Sequence, residues 1–130
     1  MTGPPRIFLD ASVWIAAAGS ARGASAAVLD LCHRGNAVAV GSRIVLLEAE
    51  RNIRTKLGEE ALLRFYQRIG WLELEVAESP TAEEMAAADK AGVEYLLTFD
   101  RRHFFSDRVT NARLQFRIIT PGDFLRTLLR

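Results

Sequence analysis

The chain has 130 residues, 49% of them hydrophobic and 25% charged. That length and balance suit one globular domain over residues 1–130 and exclude a disordered tail or a collagen-like fibre. Lys and Arg number 17 and Asp and Glu 16, so a net charge of +1 neither announces nor excludes a nucleic-acid partner. Apolar runs such as Ile44-Val45-Leu46-Leu47 fall far short of the roughly 20 residues of a spanning helix. No charged segment precedes an apolar one at the start, so the expectation is a cytoplasmic protein with no membrane contact. The single cysteine, Cys32, has no internal partner and reads as a buried, inert thiol.

In chain order, Arg6–Asp10 is a short apolar run closed by a carboxylate and reads as a buried strand. Ser12–Ala18 and Ala24–His33 read as helices, with Gly35 ending the second. Ala37–Val40 is a short strand. Ser42 caps a long helix from about Arg43 to Lys56, which Gly58 stops, and Glu59–Ile69 is a further helix stopped by Gly70. Trp71–Val76 alternates Leu72, Leu74 and Val76 with Glu73 and Glu75, the pattern of a strand with one wetter face. Thr81, with Glu84 three residues on, opens a helix through about Ala91. Tyr95–Phe99 is a strand leading to Asp100, and Arg117–Ile119 a last strand. Thr120-Pro121 starts the final helix.

Strands alternating with helices imply mostly parallel pairing and a three-layer α/β/α sandwich around a mostly parallel central sheet. Ligands of such folds bind beyond the carboxyl ends of the strands. Two strands end there in aspartate, Asp10 and Asp100. Each alone reads equally as a helix cap, but adjacent parallel strands would bring both to one rim. Glu48 sits in the most apolar stretch of its helix, where a carboxylate needs an ion pair or a metal. Clustered carboxylates suit Mg²⁺ or Mn²⁺, hard cations that prefer oxygen ligands. Nothing else in the chain has comparable chemistry. His33 and His103 lack zinc spacing, and there is no phosphate-binding glycine loop or nucleophile elbow.

The segments Ile7-Phe8-Leu9-Asp10-Ala11-Ser12-Val13-Trp14-Ile15, Ser42 with Leu47-Glu48-Ala49-Glu50-Arg51, Tyr95 to Phe104, and Ile118 to Leu125 together resemble the ordered motifs of PIN domains. The likeness is to the small prokaryotic, VapC-like toxins of toxin–antitoxin pairs. It implies a metal-dependent endoribonuclease using Mg²⁺ or Mn²⁺, with Asp10, Glu48 and Asp100 as catalytic metal ligands. Ser12 and Thr98 would orient ligands or water by hydrogen bonds. One position departs: the family places an Asp at the start of the helix before the Thr-x-Asp strand, and here that place falls near Thr81. Glu83 or Glu84 would be the replacement acid. The departure leaves a second reading, a degenerate PIN-like module that binds RNA or protein without cutting. Arg101, Arg102 and His103, beside Asp100, would contact RNA phosphates. Trp14 reads as core rather than a stacking surface. Surplus apolar surface at Val13, Trp14 and Ile15 and at Leu62, Leu63, Phe65 and Tyr66 points to a homodimer or an antitoxin groove.

Overall fold

The structure, a computed structural model, describes residues 3–76, 92–100 and 116–129. In chain order these form β1 (Arg6–Leu9), α1 (Ala11–Gly19), α2 (Ala24–His33), β2 (Val38–Gly41), α3 (Arg43–Lys56), α4 (Glu59–Trp71), β3 (Glu75–Val76), β4 (Tyr95–Leu97), β5 (Arg117–Ile119) and α5 (Pro121–Leu128). The strands make one sheet in the order β3-β2-β1-β4-β5, and all four pairings are parallel. The whole is the expected three-layer α/β/α sandwich. β1 is central because Ile7, Phe8 and Leu9 are apolar without a break. All three are fully buried, as a strand covered on both faces must be. Phe8 stands in register with Val40 on one side and Leu96 on the other.

The helices start and stop where local chemistry directs. The Ser42 hydroxyl accepts the Val45 amide at 3.2 Å and opens α3. Thr120 does the same for Asp123 at 3.1 Å, with proline in the first turn of α5. Gly58 separates α3 from α4 at φ +95°, a conformation natural only to glycine. The buried indole of Trp14 on α1 meets the edge of Phe65 on α4, with ring centroids 5.9 Å apart and planes at 89°. The carboxyl end of α1 is closed from α4 as well. Arg64 Nε donates to the Ala18 carbonyl at 2.9 Å and Arg68 to that of Ala17, cations placed against the negative end of a helix. Burial pushes the Arg68 guanidinium below its ordinary value; nearby Asp30 opposes that and Arg64 adds to it.

Several expectations need correction. Gly70 does not stop α4, which continues to Trp71. A lone glycine is only a weak breaker, costing about 1 kcal/mol against alanine, and packing overrides it. Trp71 is therefore helical, and its carbonyl meets His33 Nδ1 at 3.1 Å. Only Glu75–Val76 of the expected Trp71–Val76 strand is strand, with both residues exposed at the sheet edge. Val13 and Trp14 add nothing to the apolar surface because both are buried, as is Phe65, whereas Leu63 and Tyr66 are exposed. The helix expected from Thr81 to Ala91 lies outside the described residues.

Cys32 is partly buried, and desolvation pushes its thiol from 9.0 up to about 12. Because the thiolate is the reactive form, iodoacetamide at pH 8 is expected to label the unfolded chain rapidly and the native chain far more slowly. Equal rates in a mass-spectrometric time course would contradict this. The sign of the pH effect follows. A folded-state value raised above the unfolded one gives stability that is present below about pH 9 and is lost as pH rises towards 12.

Candidate acidic site at the carboxyl rim of the sheet

Asp10 follows the last residue of β1 and occupies the position before the first turn of α1, yet its side chain makes no capping hydrogen bond. Its backbone amide continues the β1–β4 ladder, donating to the Leu97 carbonyl at 3.1 Å. The carboxylate is 6% exposed by residue and is held by hydroxyls from two distant segments. Thr98 Oγ1 donates to Oδ2 at 2.6 Å and Ser12 Oγ donates to the same oxygen at 2.7 Å. Each hydroxyl is itself oriented by a backbone amide. Asp100 N donates to Thr98 Oγ1 at 2.9 Å, and Phe99 N donates to Ser12 Oγ at 3.0 Å. With their lone pairs turned to those amides, both O–H groups point at Asp10. The capping alternative for Asp10 is thereby excluded; its oxygen is aimed from two sides instead.

The topology accounts for the meeting. Leu9 pairs with Leu97, so Asp10 and Thr98 are the next residues along neighbouring strands, and Asp100 lies two residues beyond. Asp100 is exposed, and β4 ends at Leu97 rather than reaching Phe99. Phe8 pairs with Val40, so Ser42 and the start of α3 lie at the same rim on the other side of β1. Glu48 differs from expectation: it is exposed, as is Leu47 at 53%. The buried stripe of α3 is Val45, Ala49 and Ile53. At about 100° per residue, Glu48 sits about 60° round the helix from Val45 and on the other side from Ala49. It borders the buried stripe without joining it, and stands about 9 Å along the axis from Ser42. Glu83, Glu84, Arg101, Arg102, His103 and the Thr81 position lie outside the described residues. Trp14 is core, as its sequence context suggested.

Among the described residues, no group of three or more His, Cys, Asp or Glu side chains is placed to hold a metal ion. The donor chemistry at the rim nevertheless fits Mg²⁺ or Mn²⁺. Asp10 is a carboxylate, the hard oxygen donor such cations take, and two hydroxyls fix its orientation. Mg²⁺ commonly takes only one or two carboxylates and completes its shell with water and substrate phosphate.

No protein-family model matches the chain, and no curated protein matches it. Among solved structures, that of Mycobacterium tuberculosis VapC20, described as a sarcin–ricin loop cleaving toxin, is similar at 20% identity. The match covers 72% of this chain and 89% of that one, with a TM-score of 0.48. No helix among the described residues is long and apolar enough to cross a membrane.

Proposed function

We propose that this chain is a single-domain, Mg²⁺- or Mn²⁺-dependent endoribonuclease, the toxin of a toxin–antitoxin pair, acting in the cytoplasm. The observation that carries the reading is Asp10, a nearly buried carboxylate at the carboxyl end of the central strand. It is excused from helix capping and oriented by Ser12 and Thr98. The ordered motif resemblance of the sequence supports it as well. A bound divalent cation supplies charge stabilisation to a phosphodiester and lowers the pKa of water so that it attacks at neutral pH. The protein's own part is to hold and orient. Asp10, Asp100 and Glu48 would hold that cation. Ser12 and Thr98 keep the Asp10 carboxylate from rotating. Glu83 or Glu84 is the further acid, and Arg101, Arg102 and His103 grip RNA phosphates. An antitoxin and a second copy of the chain are the protein partners of this reading.

The departure at Thr81 favours a second reading, a PIN-like module that binds RNA or protein without cutting. Calorimetric titration of Mn²⁺ separates the two. The nuclease reading expects uptake by the wild type and affinity at least about 100-fold weaker in Asp10→Asn. A folded wild type that takes up no Mn²⁺ rejects that reading in favour of the non-cutting module.

A further inference from the structure

We infer that Phe99 is a base-stacking platform that holds a single-stranded RNA base beside the bond to be cut; the inference rests on the ribonuclease reading and adds how the substrate is gripped. Phe99 is 50% exposed, although the residues before it, Leu96, Leu97 and Thr98, are fully buried. Its backbone is fixed on both sides by the hydroxyls that aim Asp10. Its own amide donates to Ser12 Oγ, and the next amide donates to Thr98 Oγ1. The root of the ring is thus tied to the Asp10 carboxylate through two hydrogen bonds on either route. A flexible surface aromatic would not hold a base in register with a reacting phosphate; this one starts from a fixed point.

The opposite side of the rim is apolar as well. Ile44, in the first turn of α3, is 42% exposed. Since the sheet runs β2-β1-β4, Asp10 lies between the start of α3 and Phe99. Scattered exposed apolar residues are ordinary, but the Phe99 backbone is tied through Ser12 to an oriented carboxylate. A nucleotide has matching parts: an apolar base face for the exposed ring, and a phosphate that a cation held by Asp10 would attract, since phosphate and carboxylate repel each other without one. Only unpaired bases offer such a face, which selects single-stranded RNA over a duplex. Stacking of this kind tolerates any base, so it grips the strand without choosing its sequence.

That tolerance allows a test without the natural target. The probe is a short single-stranded oligoribonucleotide carrying 2-aminopurine, whose fluorescence is quenched when the base stacks. It is added in Ca²⁺ to the full chain as wild type, Phe99→Leu and Phe99→Trp. The expected result is a quench with wild type and Phe99→Trp, and about 10-fold weaker binding with loss of the quench in Phe99→Leu. Leucine keeps the apolar bulk at an exposed position, and unchanged thermal melting shows that the fold is intact. Equal affinity and quench in Phe99→Leu overturn the platform and leave the apolar rim to a protein partner. Cleavage of an RNA pool in Mn²⁺ is measured in parallel. Cleavage that is unimpaired in Phe99→Leu at subsaturating RNA overturns the platform while the ribonuclease reading stands. A wild type that neither binds nor cleaves RNA overturns both.

Discussion

Replacing Asp10 by asparagine is expected to lower RNA cleavage by about 10³-fold or more while leaving the fold and its melting temperature nearly unchanged. The loss corresponds to the several kcal/mol that a correctly held cation contributes to phosphodiester hydrolysis. The survival of the fold follows from the hydrogen bonds. Both Ser12 Oγ and Thr98 Oγ1 donate to Oδ2, so an asparagine that puts its carbonyl oxygen in that place keeps both bonds. Shape is preserved, while the charge is removed and the other carboxylate oxygen becomes an amide NH2. Because the residue is nearly buried, bulkier or apolar replacements would disturb the two hydroxyls and confuse structure with chemistry. The check is a cleavage assay on an RNA pool in Mn²⁺, with circular dichroism melts of both proteins. A well-folded Asp10→Asn protein that cuts at the wild-type rate would remove Asp10 from the site and place the chemistry elsewhere in the chain.

The layers of the fold were legible because the apolar runs are short, continuous and bounded. Ile7 to Leu9 and Leu96 to Leu97 read as doubly covered strands and are fully buried, and α2 and β5 have the boundaries the sequence suggested. What misled was a linear reading of helical surfaces. Ile44 to Leu47 looks like core when written in a row, but a helix turns about 100° per residue. Four consecutive apolar residues therefore cover every side of it. Only Val45, Ala49 and Ile53 on α3 face inward, which is why Glu48 is exposed where a buried carboxylate was expected. Leu72, Leu74 and Val76 failed for a different reason. Alternation specifies a strand only where a partner and a covered face exist, and at the sheet edge β3 shortens to two residues. The choice that matters most for function, whether Asp10 caps a helix or serves a site, was undecided by local sequence. Thr98, 88 residues away, engages the carboxylate in place of the helix amides, and no spacing rule reveals a contact of that range. Phe99 escaped notice for a similar reason, since its strand-like context predicts burial and only the end of β4 at Leu97 leaves it exposed.

Trp14→Ala is expected to destabilise the protein by about 3–5 kcal/mol, the range for losing a large buried aromatic. That is a large part of the roughly 5–15 kcal/mol that holds a domain of this size together. Trp14 is 1% exposed and locks α1 onto α4 through Phe65. Its indole Nε1 finds no hydrogen-bond partner among the described residues, so its contribution lies in volume and packing. Trp14→Phe is therefore expected to cost much less than Trp14→Ala, since it removes part of the volume and no hydrogen bond. Were the indole bonded, phenylalanine would leave a buried acceptor unpaired and cost a further 1–3 kcal/mol or so. Urea melts of the three proteins distinguish the cases, and a Phe variant as unstable as the Ala variant would contradict the packing account. The effect reaches the site through the helix. Ser12 lies in the first turn of α1, two residues before Trp14, and aims the Asp10 carboxylate. Loosening Trp14 frees the end of α1 that carries Ser12 and lets the carboxylate rotate away from Thr98. Trp14→Ala should thus bind Mn²⁺ more weakly even at temperatures where it remains folded, whereas Trp14→Phe should keep wild-type affinity.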